Sequence, residues 1–321
     1  MPSSQAARHP TRLFVVSSLL FAVLGLWPAT ALAQDIFVAN QITGSIGEYT
    51  TAGATVNATL ISGFSDPFAL ASSGSDLFVT DVSAGTIGEY TTSGATINAT
   101  LVSGLSGPYS LAVSGSDLFV TNFNSGKIGE YTTAGATINA ALVSGLNQPS
   151  ALAVSGSDLF VTNFNSGTIG EYTTSGAAIN PTMVSGLNFP FALAVSGSDL
   201  FVANLGSGTI GEYNAVTGAA INSSLVTGLS GPQGLAISGS DLFVTDHSDG
   251  QIGEYTTSGA TINPTLVSGL SGPVGIVVLG AVPEPATGAV LAGLLALGAA
   301  AGISACQRRK TGLAVSARND E

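Results

Sequence analysis

One unit of about 41 residues is written six times along this chain. Asp117-Leu118-Phe119-Val120-Thr121-Asn122 returns as Asp158-Leu159-Phe160-Val161-Thr162-Asn163, and equivalent segments begin at Asp35, Asp76, Asp199 and Asp241. The steps are 41, 41, 41, 41 and 42 residues, the extra one falling in Tyr213-Asn214-Ala215-Val216-Thr217-Gly218. A fixed period of this size means units that cannot bury a core alone and must stack on their neighbours. That excludes most other ways of folding so long a chain.

The unit from Pro149 shows what is stacked. Ser150–Val154 reads as a short first strand, and Ser155-Gly156-Ser157-Asp158 as a turn. Leu159–Thr162, β-branched and aromatic, is a second strand, and Asn163–Gly167 turns the chain again. Thr168–Thr173 and Ala178–Val184 are a third and a fourth strand. Pro181 places the fourth at a sheet edge, where a missing N–H is tolerated. Four antiparallel strands in about 41 residues make one propeller blade. The repeated region opens on a second-strand segment, Ile36–Val38, and closes on a first-strand segment, Val274–Val278. Joining them completes a sixth blade and leaves no inner edge open. The expected fold is therefore all-β, a six-bladed β-propeller over residues 34–280 with offset strand closure.

The run Pro-x-x-Leu-Ala-Val-Ser-Gly-Ser-Asp-Leu-Phe-Val-Thr-Asn, followed by Ile-Gly-Glu-Tyr, resembles NHL-type repeats. It is similar also to the streptogramin-lyase-like and gluconolactonase-like propellers. The resemblance implies the propeller fold. For the enzymes among those families it also implies acids, amides or histidines gathered around the central channel, often on a divalent metal. The innermost strands here do not supply them. Phe68-Ala69-Leu70-Ala71, Tyr109-Ser110-Leu111-Ala112, Ser150-Ala151-Leu152-Ala153 and their three counterparts hold no carboxylate and no histidine.

The two ends are different modules. Residues 1–33 read as a secretory signal peptide. Arg8 and Arg12 precede an apolar run from Leu13 to Trp27, and Ala31-Leu32-Ala33 supplies small residues for cleavage. Residues 281–310 carry Pro283-Glu284-Pro285, an uncharged apolar run at 286–306 and the basic cluster Arg308-Arg309-Lys310. As a helix that run spans ~31 Å, enough for a bilayer core. The basic cluster and the tail 311–321 are expected to stay cytoplasmic. Motif, transmembrane helix and basic cluster together resemble a PEP-CTERM sorting signal, which implies an exosortase-type processing protease as a partner. Cys306, the single cysteine, falls at the end of the apolar run, so the propeller is expected to be free of disulfides.

Between Gln34 and Pro285 there are 17 acidic residues and one base, Lys127, a net charge of −16. Such a domain repels nucleic acid and anionic headgroups. Two sets of side chains recur at fixed positions. Asn40, Asp81, Asn122, Asn163, Asn204 and Asp246 end the second strands, as turn caps or as a polar ring at one channel mouth. Glu48, Glu89, Glu130, Glu171, Glu212 and Glu254 sit between Gly and Tyr, as solvated carboxylates or as loose Ca²⁺ ligands. His247 is the one histidine of the repeated region. With Asp246, Asp249 and Glu254 near it in sequence, it is the candidate base if the domain is an enzyme. There is no nucleophile elbow, phosphate loop or zinc spacing.

These readings converge on an exported, non-enzymatic propeller of the cell envelope or extracellular matrix. It is membrane-anchored before processing and binds polysaccharide or another envelope component, with no cofactor beyond weakly held Ca²⁺. The alternative is a metal-dependent lactonase-like or lyase-like enzyme.

Overall fold

The computed structural model describes residues 34–279, all of whose regular elements are strands. Six four-stranded antiparallel sheets follow one another around an axis. β1 (Asp35–Asn40), β2 (Ser45–Thr50) and β3 (Thr55–Ser62) belong to the first blade. The second holds β4 (Pro67–Ser73), β5 (Asp76–Asp81), β6 (Thr86–Thr91) and β7 (Thr96–Val102). The third holds β8 (Pro108–Ser114), β9 (Asp117–Asn122), β10 (Lys127–Thr132) and β11 (Thr137–Ser144). The fourth runs from β12 (Pro149–Ser155) through β13 (Asp158–Asn163) and β14 (Thr168–Thr173) to β15 (Ala178–Val184). The fifth comprises β16 (Pro190–Ser196), β17 (Asp199–Asn204), β18 (Thr209–Asn214) and β19 (Ala220–Val226). The sixth comprises β20 (Pro232–Ser238), β21 (Asp241–Asp246), β22 (Gln251–Thr256) and β23 (Thr261–Ser268). β24 (Pro273–Leu279) crosses back to the first blade.

β24 pairs antiparallel with β1, setting Ile36 opposite Val278, Phe37 opposite Val277 and Val38 opposite Ile276. This is the offset closure expected from the order of the segments. The ladders extend the first and second strands of the fourth blade one residue beyond the sequence reading at each end, because Pro149, Ser155, Asp158 and Asn163 also pair. Pro181 does lie on an outermost strand.

Leu-Phe-Val is apolar without alternation because both faces of a second strand are covered. Leu118, Phe119 and Val120 are all essentially inaccessible to solvent. Phe78 and Ile87 of the second blade pack on Leu118, Val120 and Tyr131 of the third, and each blade boundary repeats this pattern. At the junction made by closure, Phe243 and Ile252 of the sixth blade meet Ile36, Val38 and Tyr49 of the first. The Ile-Gly-Glu-Tyr motif follows from the same crowding. Residues two apart share a face of a strand, and each tyrosine ring lies over the glycine two positions before it. A Cβ on Gly88 would stand 2.7 Å from Tyr90 Cε2 and Oη. Blade turns impose the other glycines: Gly85 has φ +63°, and its missing Cβ leaves room for the Leu105 carbonyl.

The outer strands are mostly solvent-exposed. Val56, Ile97, Ile138, Ile179, Ile221 and Ile262 present half their surface to water. Each pairing between third and outer strand is broken by register shifts, which keep the edge from offering a flat template. Among the described residues no helix is long and apolar enough to cross a membrane. The signal-peptide segment, Pro283-Glu284-Pro285, the apolar run 286–306 and Arg308-Arg309-Lys310 lie outside the described residues.

Candidate functional site

The inner strands enclose a cavity of about 140 Å³ along the axis. Residues of all six line it, among them Phe68, Ser110, Ser150, Ala192, Gly234 and Ile276, and no carboxylate or histidine is among the lining residues. Small side chains are required here. A Cβ on Gly275 would overlap the Phe68 carbonyl, and one on Gly234 the Val274 carbonyl. The inner strands also bulge near their starts, and threonines of the second strands stitch the bulge. Thr80 accepts from the Ala69 N–H at 2.8 Å, and Thr162 from the Ala151 N–H at 2.8 Å.

Asn40, Asp81, Asn122, Asn163, Asn204 and Asp246 all sit at one end of the channel, buried within the blades. None lines the axial cavity. Four of them hold a loop that leads into an inner strand. Asp81 accepts from the Ser65 N–H at 2.7 Å, Asn122 from Ser106 at 3.0 Å, Asn163 from Asn147 at 3.2 Å and Asp246 from Ser230 at 2.8 Å. Asp81 takes a second bond from the Ala84 N–H. The tyrosines of the blades approach the same ring. Burial raises the Tyr255 and Tyr90 hydroxyls above their ordinary value, and the nearby carboxylates of Asp246 and Asp81 push the same way.

The six glutamates lie nearer the other end, partly exposed, each on the face that carries the aspartate starting its neighbouring strand. Burial, and then the Asp76 charge, raises Glu89. Glu48, Glu130, Glu171, Glu212 and Glu254 are raised in the same way, beside Asp35, Asp117, Asp158, Asp199 and Asp241. A notch of about 560 Å³ between the second and third blades contains Asp76, Glu89, Asn98 and Thr133. Each such place offers two carboxylates. Among the described residues no three His, Cys, Asp or Glu side chains come together.

His247 is part of a polar chain at the mouth. Asp66 accepts from Gln41 Nε2 at 2.8 Å and from the Ser83 hydroxyl at 3.2 Å. Gln41 Oε1 lies 3.2 Å from His247 Nε2. Because Asp66 can only accept, it fixes the Gln41 amide with its NH₂ toward the carboxylate. The amide oxygen then accepts from His247, so the imidazole carries its proton on Nε2 and leaves Nδ1 as a free acceptor when neutral. Asp246 and Asp249 do not join this chain: each accepts from Ser230, through its N–H and its hydroxyl. Glu254 lies three residues along β22 from Gln251, near Asp241 and away from His247.

Across the mouth from this chain lies an aromatic crescent. Tyr109 stacks on Phe123 with centroids 4.2 Å apart and contacts Phe68 at 4.4 Å. Phe164 meets Phe189 at 5.0 Å and Phe191 at 6.0 Å. Burial and the nearby Asp66 charge raise the Tyr109 hydroxyl, which ties the crescent to the polar chain. Sequence reasoning singled out His247 but missed Gln41, Asp66 and the crescent. A column-by-column comparison of the six copies carries the signal. Gln41, Val82, Phe123, Phe164, Leu205 and His247 are equivalent positions. So are Asp66, Gly107, Gln148, Phe189, Gly231 and Gly272, and so are Phe68, Tyr109, Ser150, Phe191, Gln233 and Val274. All three columns change in chemistry; the first two lie in the loops at this mouth, whereas the third lies on the inner strands just below it, with Ser150 and Val274 buried.

The profile of the Virginiamycin B lyase family matches residues 28–282. No curated protein matches the sequence. Among solved structures, one from a nidogen/laminin complex is similar at 17% identity and a TM-score of 0.65, over 78% of this chain and 99% of that one. A streptogramin B lyase is similar at 20% identity and a TM-score of 0.59, over 77% and 87%. A third is a catalytically inactive histidine-to-alanine variant of virginiamycin B lyase from Staphylococcus aureus with quinupristin. It is 19% identical with a TM-score of 0.56, over 74% of this chain and 86% of that one.

Proposed function

The chain belongs to the Virginiamycin B lyase family, and we propose that within it this protein is an exported, non-enzymatic binding propeller that takes polysaccharide or another envelope component at its aromatic mouth. One observation carries the reading. Six copies keep the same fold-bearing residues, yet differ at the two loop columns at one mouth, Gln41/Val82/Phe123/Phe164/Leu205/His247 and Asp66/Gly107/Gln148/Phe189/Gly231/Gly272. Core packing demands no such difference, because every blade buries the same Leu-Phe-Val segment. A surface with different chemistry on each blade fits a ligand that lacks sixfold symmetry. The net charge of −16 between Gln34 and Pro285 favours neutral or cationic partners. The leader over 1–33 and the Pro283-Glu284-Pro285, apolar and Arg308-Arg309-Lys310 series support export followed by sorting through an exosortase-type protease. Location in the envelope or matrix follows from that sorting.

A second reading is elimination catalysis with His247 as base. It is favoured by the Asp66–Gln41 chain, which fixes the tautomer and leaves Nδ1 free. The Staphylococcus aureus lyase that is inactive without one histidine adds to it. Asp246 and Asp249, the acids nearest His247 in sequence, bond Ser230 instead, which is why binding remains the preferred reading. Both are tested by probing a glycan array with the purified protein beside linearisation of a streptogramin B and hydrolysis of simple lactones. Array binding without turnover supports the binding propeller. Turnover abolished by His247→Ala would replace it with the enzyme.

A further inference from the structure

We propose that the exposed ring of Phe189 and the half-buried ring of Phe164, with the amides beside them, form the subsite that holds one sugar ring of a neutral polysaccharide. This rests on the binding reading above and adds the place and chemistry of the contact.

The first observation is backbone strain. Phe189 has φ +51° and Gln148 φ +55°, the two non-glycine residues in the left-handed region among the described residues. Two equivalent positions in other blades, Gly107 and Gly272, hold the same conformation with φ +68° and +62°. Glycine adopts it freely, whereas an L side chain pays roughly 1–2 kcal/mol. Placing a large side chain there is unfavourable for folding. Phe189 recovers little of that cost, since 48% of it remains exposed. Strain retained at an exposed aromatic residue points to a use outside the fold.

The second observation is the company these rings keep. Phe189 leans on Phe164 at 5.0 Å and 31°, making a shallow platform rather than a closed cluster. Asn165 and Asn188 flank the rings in sequence and are exposed, and Gln148 is half-buried beside the Phe164 backbone. A pyranose has one face of C–H groups and an equator of hydroxyls. The C–H face suits the negative face of an aromatic ring. Vicinal hydroxyls donate and accept at once, as does a primary amide. No positive charge lies in the platform to hold a uronate or sulfate, and the surrounding field repels them. The occupant is therefore a neutral glycan.

The test uses native gels cast with hydroxyethylcellulose, dextran or galactomannan, beside gels cast with alginate. The full exported protein is run against Phe189→Gly, Phe189→Trp and Gln148→Gly. Retardation by at least one neutral polymer and none by alginate is expected. Phe189→Gly places here the residue of three other blades, two of which hold the same backbone conformation, so the variant should melt no lower than the parent. It should nevertheless weaken binding roughly tenfold or more, as loss of a central aromatic contact does. Phe189→Trp should keep binding. Retardation that survives Phe189→Gly would overturn this subsite and leave the binding propeller standing. Retardation by alginate would overturn the neutral ligand. No retardation by any polymer, with no signal on the glycan array, would remove both readings.

Discussion

Deleting β24 tests how the ring is held shut. The comparison is between residues 34–280 and residues 34–272. The deletion removes Val274, fully buried, and Ile276, 7% exposed. Burying each such side chain is worth about 1.5–3 kcal/mol. It also strips β1 of the partner whose register runs from Asp35–Leu279 to Asn40–Pro273, at about 1 kcal/mol for each backbone bond lost. The bond from the Thr245 hydroxyl to the Val274 carbonyl, 2.6 Å, goes with them. Together the loss is on the order of 5–10 kcal/mol, comparable with the whole stability of a typical domain. A loss of that size lowers a melting temperature by more than about 10 °C for a domain of this length. Circular dichroism during heating should show either that fall or no cooperative transition. A melting temperature within a few degrees of the longer chain would show that β24 does not close the ring energetically, and the offset-closure argument would be wrong.

Two further outcomes follow from the blades themselves. Gly88→Ala should cost about 1–3 kcal/mol in urea denaturation, the usual penalty for overpacking, because its Cβ would stand 2.7 Å from Tyr90. Adding Tyr90→Phe should return the part owed to the hydroxyl contact, and an unchanged penalty would place the clash on the ring carbons alone. The six glutamates predict a pH dependence. Their folded pKa values are raised above the ordinary 4.5, by burial first and then by Asp35, Asp76, Asp117, Asp158, Asp199 and Asp241. The native state thus binds protons more tightly than the unfolded chain there, so these groups destabilise it at neutral pH. That penalty is relieved as pH falls through the raised values toward 4.5. The melting temperature should rise between pH 7 and about pH 5, and a flat or falling profile would refute the account.

The fold was legible because its determinants are local and repeated. Leu-Phe-Val, Ile-Gly-Glu-Tyr and Ser-Gly-Ser-Asp each state a strand or a turn, and six statements of the same unit leave little to tertiary context. Offset closure could be read because Ile36–Val38 and Val274–Val278 are complementary fragments. The polar ring was visible as a series, but not the manner of its bonding. Asp81 and Asp246 reach loops 16 residues upstream, and no spacing rule encodes that approach. The crescent was invisible for another reason. Phe123, Phe164 and Phe189 stand in separate turns of separate blades, and only the curvature of the ring brings them to one mouth.

That curvature also explains why the inner strands carry so few polar side chains along the axis. Near the axis the backbones crowd so closely that Gly275 and Gly234 have no room for a methyl group. Large aromatic or polar side chains near the axis are therefore confined to the first residues of the inner strands, such as Phe68, Tyr109 and Phe191, and to the loops above, where blades diverge and turns can lengthen or strain. His247 stands one position beyond the buried Asp246, and Phe164 one beyond the buried Asn163. In four blades the buried residue pins the loop that leads into the inner strand, while the next residue is left free to vary. Buried Asn or Asp side chains followed by Gln41, Val82, Phe123, Phe164, Leu205 and His247 give a rigid rim with a non-repeating surface. This is the arrangement in which a repeated fold can recognise an unsymmetrical ligand without altering its core.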